Sequence, residues 1–190
     1  FTNIQTVGLC HSVQVCANGL LQTLGMDEYV DKTRWEIAGI NHQAWLLKIE
    51  DLAGNDLYPE IKRRASSPDY NKDGNDLVRL EIMKRFGYYV TESSEHNAEY
   101  TPYFIKDKYP ELIDRFKIPL DEYPRRCVYQ IDGWNAMRES LLQDSRIEHK
   151  KTHEFASYII NAVMNDTPYR IHGNVLNTGL ITNLPQNACV

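Results

Sequence analysis

The amino-acid sequence predicts a single α+β domain that is rich in helices and carries a small antiparallel or mixed sheet. Its 190 residues are enough to bury one hydrophobic core, and 42% hydrophobic with 25% charged residues is typical of a globular domain. Segments with a helical period outnumber the extended runs, which indicates the α+β class. No internal repeat, low-complexity tract or long linker divides the chain.

The first predicted helix follows a short apolar run at residues 6–9, which indicates a strand or a buried turn ending at Cys10. Ser12 stands where an N-cap would stand, and Gly25 is a suitable stop. Between them, apolar residues recur at the spacing of one helix face: Val13, Cys16, Leu20, Leu21 and Leu24. The pattern therefore predicts an amphipathic helix after Cys10.

Two extended runs come next, at residues 35–40 and 44–49, and they predict strands. Helical patterns follow at residues 58–64, 76–86, 108–116, 120–143 and 154–164. The tail at residues 169–184 alternates apolar and polar residues around Gly173 and Gly179. This alternation predicts further strands and a hairpin near the C-terminus.

Charge and apolar runs restrict the classes of partner. A net charge of -5 and a pI near 5.7 argue against a nucleic-acid binder, which carries a basic stripe. The short basic cluster at residues 146–151 is interrupted by Glu148 and predicts a solvated turn. No apolar run approaches the ~20 residues of a membrane-spanning helix, so no membrane partner is expected. Four scattered cysteines do not form a secreted disulfide scaffold, so we expect a cytoplasmic protein.

Cys10 and His42 are the residues that most suggest chemistry. Cys10 lies at the predicted strand-to-helix junction, and His42 lies between the two extended runs. A thiolate and an imidazole are good ligands for a borderline or transition metal. With only two protein ligands the ion keeps open positions, as catalytic ions do. The alternative is structural, since a lone Cys often fills a core and a lone His often satisfies a hydrogen bond.

Residues 91–104 mix carboxylates, an imidazole, amides and aromatic rings, which suits recognition of a hydroxyl-rich ligand. The alternative for this segment is a helix capped by Ser93 or Ser94. Residues 69–74 open like a calcium loop, but Leu80 stands where the twelfth position requires Glu. That segment therefore predicts a surface turn.

Several stretches together resemble glycoside hydrolase family 4, in its α-galactosidase (melibiase) branch. They occur in the family's order and at compatible spacing: VGLCHSVQ from Val7, AGINH from Ala38, residues 91–104, PLDEYP from Pro119 and NLP from Asn183. The resemblance implies the C-terminal half of a family 4 glycosidase, with a fold like the C-terminal domain of lactate and malate dehydrogenases. The N-terminal Rossmann domain is expected to be missing, because residues 1–190 contain no G-x-G-x-x-G and do not begin with Met.

The resemblance implies hydrolysis of α-galactosides, or of related α-glycosides, by a route unlike the paired-carboxylate scheme of most glycosidases. NAD⁺ takes hydride from C3 of the sugar, and a base then removes the acidified C2 proton. A divalent ion, usually Mn²⁺, stabilises the developing charge, and the aglycone leaves by elimination. The resemblance also implies a small sugar as substrate and a homodimer or homotetramer as the assembly.

By position, the functional residues of the family fall on seven residues of this chain. They are the metal ligands Cys10 and His42, the general acid His11, the base Tyr103 with Glu95 as the alternative, and the sugar contacts Asn41 and His96. Because the cofactor domain is expected to be missing, we expect this piece to be inactive by itself. The alternative function is a metal-binding, sugar-binding or oligomerisation module without turnover.

Overall fold

The computed structural model describes residues 6–143 and 154–190, so the basic cluster at 146–151 lies outside the described residues. Their helices and strands, in chain order, are α1 (His11–Thr23), β1 (Thr33–Ile40), β2 (Gln43–Asp51), α2 (Tyr58–Ala65), α3 (Leu77–Phe86), β3 (Tyr89–Val90), α4 (Ser94–Tyr100), α5 (Glu111–Arg115), α6 (Glu122–Gln143) and α7 (Ala156–Asn165). A short 3₁₀ turn, Asp27–Tyr29, follows α1. The predicted α+β class is confirmed. None of the described helices is both long enough and apolar enough to span a membrane.

The sheet is antiparallel and, within the described residues, has three strands in the order β1-β2-β3. The long pair β1 and β2 is the hairpin that the two extended runs predicted, and its register ends with Ile40 opposite Gln43. Asn41 and His42 therefore form the turn of the hairpin. A bulge between Glu36 and Ile37 interrupts the ladder. β3 has only two residues and pairs with the first half of β2, where Trp45 lies opposite Val90.

The main core lies between α1 and the sheet. α1 buries one face because its apolar residues follow the helical period, and this face packs together with Leu46 and Ile49 of β2, Tyr58 and Ile61 of α2, and Tyr89 of β3. A smaller cluster joins α3, α4 and the α5 region around Val78, Ile82, Val90, Ala98, Phe104 and Ile118. The two clusters hold the end of β3 and the hairpin in fixed relation to α1.

Most predicted helices are present, with small shifts at their ends. The helix predicted at 108–116 is reduced to α5, and α6 covers most of the predicted 120–143. The N-cap of α1 was placed wrongly: the helix begins at His11 with Cys10 as its N-cap, and Ser12 Oγ instead lies 2.9 Å from Cys10 Sγ. Ser93 does cap α4, where its side chain accepts a hydrogen bond from the His96 N–H.

The strands and hairpin predicted for residues 169–184 are wrong. The described tail forms only isolated bridges, Leu9 with Gly173 and Leu176 with Cys189. The physical reason is the fully buried side chain of Asn177. Its Nδ2 donates to the carbonyls of Ile181, Leu184 and Pro185, and its Oδ1 accepts from the Ile181 N–H. These side-chain bonds close a compact loop and take the place of a strand ladder.

Candidate metal centre

Cys10 lies where the N-terminal segment crosses the C-terminal tail. The Asn174 N–H donates to the Gly8 carbonyl at 3.1 Å, next to the Leu9–Gly173 bridge. The crossing is close because it is made of glycines: a Cβ on Gly173 would lie 2.4 Å from Val7 Cγ2. This contact fixes the start of α1, so the half-buried, free thiol of Cys10 has a defined position.

His42 occupies the second position of the β1–β2 turn. Its backbone has a φ of +64°, a left-handed conformation that residues other than glycine rarely adopt. The turn is tight, since Gly39 also has a positive φ of +134° and a Cβ there would lie 2.9 Å from Ala44 Cα. The imidazole is 47% exposed, and it is accessible to a ligand from solvent.

Glu92 completes the group, and sequence reasoning did not identify it as a site residue. The Thr91 N–H donates to the Ala44 carbonyl at 3.0 Å, which continues the β2–β3 pairing by one residue toward the hairpin turn. Glu92 follows directly, and its Oε2 contacts Nδ1 of His42. Burial raises the pKa of this carboxyl, but hydrogen bonds from the Ser93 N–H and from His42 outweigh burial and hold the pKa below its usual value.

The ligand atoms of Cys10, His42 and Glu92 all lie within 4.8 Å of one another. No other group of three or more possible metal-ligating side chains occurs among the residues that the structure describes. A thiolate, an imidazole and a nearby carboxylate suit a divalent transition ion, and their number leaves coordination positions for a substrate or water. The residues present therefore fit a catalytic metal.

A cleft of about 380 Å³ opens beside Cys10. Asn41 lines it together with Cys10, and so does Asn174 of the tail. Most of the remaining wall is apolar, from the hairpin and the tail loop. Sites for small molecules commonly combine such an apolar wall with a few polar groups that fix orientation. The cleft therefore places the predicted sugar contact Asn41 next to the predicted metal ligand Cys10.

The other predicted site residues lie apart from this group. His11 Nε2 is 3.0 Å from Glu154 Oε1 and its ring is 6.0 Å from that of Phe155, so it faces the start of α7. Tyr103 is 52% exposed and packs against Phe86, with 6.3 Å between ring centroids. The structure thus brings Cys10, His42 and Asn41 together, but gives His11 and Tyr103 other neighbours.

The two remaining candidates lie on α4. Glu95 lines a separate cleft of about 240 Å³, which Lys117 and Arg125 also line. His96 pairs with Glu99 at 3.0 Å and stacks on Tyr100. Neither residue belongs to the group of Cys10, His42 and Glu92 or lines the cleft beside Cys10.

A buried polar network includes Tyr89 of β3. Asp76 is 2% exposed, and it accepts hydrogen bonds from Tyr89 Oη at 2.5 Å and from Arg79 Nε. Ser94 Oγ is 3.4 Å from the same carboxylate. Burial raises the pKa of Asp76, against the lowering effect of the Arg79 charge. The network joins α3 to the start of α4, two residues after Glu92.

Residues 37–190 match the sequence profile of the family 4 glycosyl hydrolase C-terminal domain. The chain belongs to glycoside hydrolase family 4. This confirms the family that the motifs predicted, and the matched part is the C-terminal portion that was expected.

Curated family 4 relatives extend the comparison. The chain is 57% identical over 190 residues to the α-galactosidase of Bacillus subtilis (strain 168), covering 100% of this chain and 43% of the relative. It is 29% identical over 200 residues to the α-galactosidase of Rhizobium meliloti (strain 1021), covering 100% of this chain and 40% of that relative. The chain therefore spans less than half the length of these relatives.

Solved structures show the same fold. The lplD protein of Bacillus subtilis superposes with a TM-score of 0.75 at 20% identity, covering 100% of this chain and 46% of that one. A 6-phospho-α-glucosidase from gut microorganisms, solved in complex with NAD and Mn²⁺, gives a TM-score of 0.58 at 18% identity, covering 96% of this chain and 43% of that one. At these identities the likeness establishes the family 4 fold alone.

Proposed function

We propose that the protein containing this chain hydrolyses α-galactosides, and that this chain supplies its metal-binding and part of its sugar-binding surface. The observation that carries the proposal is the meeting of Cys10 and His42 beside a cleft that Asn41 also lines. The identity of 57% with an α-galactosidase over the whole chain supports the choice of substrate.

We further propose a divalent ion, Mn²⁺ or a similar metal, held by Cys10 and His42, with NAD⁺ as the second cofactor. The structure of a family 4 neighbour in complex with NAD and Mn²⁺ supports both. When bound, the ion supplies a Lewis acid and the nicotinamide accepts and returns a hydride. Residues 1–190 contain no G-x-G-x-x-G, so we assign the main NAD⁺ contacts to the protein outside these residues.

For the remaining candidates we propose the roles that the family resemblance implies. Asn41 offers an amide to sugar hydroxyls in the cleft, and the family resemblance assigns His96 as a second sugar contact. His11 is exposed at the start of α1, and its Nε2 must exchange Glu154 for the leaving-group oxygen to act as general acid. Tyr103 and Glu95 remain the alternatives for the base that takes the C2 proton.

The assembly and the location of the protein stay predictions. A homodimer or homotetramer is expected from the family, and light scattering on the whole protein tests it. The cytoplasmic location rests on the cysteines, all four of which are free thiols in the structure. Cell fractionation tests that expectation.

The decisive experiment measures turnover of 4-nitrophenyl α-galactoside by the whole protein with NAD⁺, Mn²⁺ and a thiol reductant. We expect activity to disappear with EDTA and in Cys10→Ala, and to persist in Cys127→Ala, which removes a half-buried thiol far from the candidate site in sequence. In D₂O, the galactose released should carry deuterium at C2, because the base exchanges that proton. Full activity in Cys10→Ala or after removal of metal would refute the proposal. Activity of residues 1–190 alone would refute the assignment of the main NAD⁺ contacts to the protein outside these residues.

A further inference from the structure

Both oxygens of the Glu92 carboxylate have a partner, and one of these partners is in the hairpin turn. Its Oε2 contacts His42 Nδ1, and its Oε1 accepts from the Ser93 N–H at 2.9 Å. The side chain is 11% exposed, so the pair is shielded from water on the Glu92 side while the imidazole remains open on its other side. Since Nδ1 is occupied by the carboxylate, the ring nitrogen left for another ligand is Nε2.

This contact follows from the strand register. β3 pairs with β2 at Trp45 and Leu46, and the Thr91 N–H extends the pairing to Ala44. Because β2 begins one residue after His42, an antiparallel partner that continues past Ala44 runs alongside the turn. The next residue after Thr91 is Glu92, so the strand pairing places Glu92 beside the imidazole.

The backbone of Glu92 is fixed independently of the turn. Its carbonyl accepts from Nδ2 of the fully buried Asn97 at 2.8 Å, and the same Nδ2 reaches the Ser93 carbonyl at 3.0 Å. The carboxylate is therefore a rigid partner for the imidazole. A rigid acceptor restricts both the tautomer and the orientation of the ring it binds.

We propose that Glu92 is a positioning residue, which holds a proton on Nδ1 of His42 and thereby directs Nε2 toward the ion beside Cys10 Sγ. This inference rests on the metal site of the proposed function. Metal-ligating histidines commonly donate their second ring N–H to a carboxylate, and the loss of that carboxylate weakens metal binding. While the proton on Nδ1 is shared with Oε2, Nδ1 has no lone pair for the ion, so Nε2 is the ring nitrogen that can bind it.

The test uses the whole protein, freed of metal, and follows Mn²⁺ binding by the electron paramagnetic resonance signal of free Mn²⁺. Glu92→Ala should bind Mn²⁺ about 10–100-fold more weakly than the wild type. Glu92→Gln should recover part of the loss, because its amide oxygen still accepts from Nδ1–H. The matched control is Glu81→Gln, which removes a carboxylate of similar exposure that pairs with Arg85 on α3, and its affinity should not change.

A second readout records the tautomer in the metal-free protein, from ¹⁵N chemical shifts of labelled histidine, with His42→Asn to assign the signals. The wild type and Glu92→Gln should show the proton on Nδ1, and Glu92→Ala should lose this preference. A merely structural role for Glu92 does not produce that change. If Glu92→Ala does not fold, the affinity and tautomer of Glu92→Gln against the control carry the test.

Each of the following results overturns the proposal. Wild-type affinity for Mn²⁺ in Glu92→Ala, or an unchanged His42 tautomer in Glu92→Ala, refutes the positioning role but leaves the metal site intact. An equal loss of affinity in Glu92→Gln and Glu92→Ala with an unchanged tautomer makes Glu92 a direct ligand instead. Absence of Mn²⁺ binding in the wild type removes the metal site itself, and with it the proposed function.

Discussion

Gly39 offers a test of how strongly the hairpin geometry controls the candidate metal centre. The residue has a φ of +134°, and a Cβ built on it would lie 2.9 Å from Ala44 Cα and 3.3 Å from the Gln43 carbonyl oxygen. Both contacts are with backbone atoms, which cannot rotate away as a side chain can. Gly39→Ala must therefore displace the strand ends on either side of His42.

The size of the effect follows from the backbone strain. A side chain held at a backbone conformation that only glycine adopts readily costs about 1–3 kcal/mol. In the metal-free protein the hairpin turn can move and relieve this strain, but metal binding returns His42 to its place and restores it. The strain then appears as weaker binding, and about 1–3 kcal/mol corresponds to about 5–150-fold in the dissociation constant for Mn²⁺.

Gly54→Ala is the matched control for this experiment. Gly54 lies beyond the opposite end of β2 and also has a positive φ, +92°, but a Cβ there meets nothing within 4 Å. We expect Gly54→Ala to carry the same strain with and without metal and to bind Mn²⁺ as the wild type does, whereas Gly39→Ala should bind Mn²⁺ more weakly. Isothermal titration calorimetry on the whole protein measures the affinity. Equal affinities in the two variants would refute the coupling between hairpin and site.

Three further predictions concern stability and metal choice. Asp76→Ala should lower the free energy of unfolding by about 3–5 kcal/mol, because it breaks a buried ion pair, and Tyr89→Phe should lower it by about 1.5–3 kcal/mol, because it removes one hydrogen bond to a charged group. Urea unfolding followed by circular dichroism measures both losses, and equal losses would contradict the network. The metal centre should bind Ni²⁺ and Co²⁺ more tightly than Mn²⁺, because sites with such ligands follow the Irving–Williams order. Competition titrations measure the three affinities, and tightest binding of Mn²⁺ would contradict the prediction. Hydrogen bonds from Arg63 and Arg64 lower the pKa of Glu60 from 4.5 to about 2, so its ionised form stabilises α2 fully above pH 4.5 and loses this effect as the pH falls toward 2. Glu60→Gln should therefore flatten the fall in melting temperature over that range, and a fall as steep as that of the wild type would count against the ion pairs.

The helices and the β1–β2 hairpin were predictable because each follows from a local pattern of apolar and polar residues along the sequence. α1 repeats apolar residues at helical spacing, and the two runs of the hairpin flank a short polar turn. β3 was not predictable, since a strand of two residues has no period and exists only through its pairing with β2. The prediction of strands in the tail failed for the opposite reason. Apolar and polar residues alternate there as they do in strands, but the Asn177 side chain bonds the backbone groups that a strand ladder would use.

The same distinction explains which members of the candidate site were predicted. Cys10 and His42 lie in recognisable stretches, so resemblance identified them without any knowledge of the fold. Glu92 reaches His42 only because β3 pairs with β2, and a contact that depends on an unpredicted strand cannot be predicted either. Its sequence signal was weak: Glu92 is one carboxylate of the polar stretch 91–104, directly before the N-cap residue Ser93.

The position of His11 constrains how the whole site can work. Cys10 is the N-cap of α1, with an extended backbone, and His11 is the first helical residue. Their neighbours differ: Cys10 borders the cleft with Asn41, whereas His11 contacts Glu154 and lies near Phe155. If both act on one sugar, the ring must lie by Cys10 and the leaving group must extend across the start of α1 toward α7. The aglycone should therefore lie in the groove that His11 and Ile160 line. Ile160→Ala, which removes a side chain that is 61% exposed, should change the KM of aryl galactosides more than that of galactosides with small leaving groups.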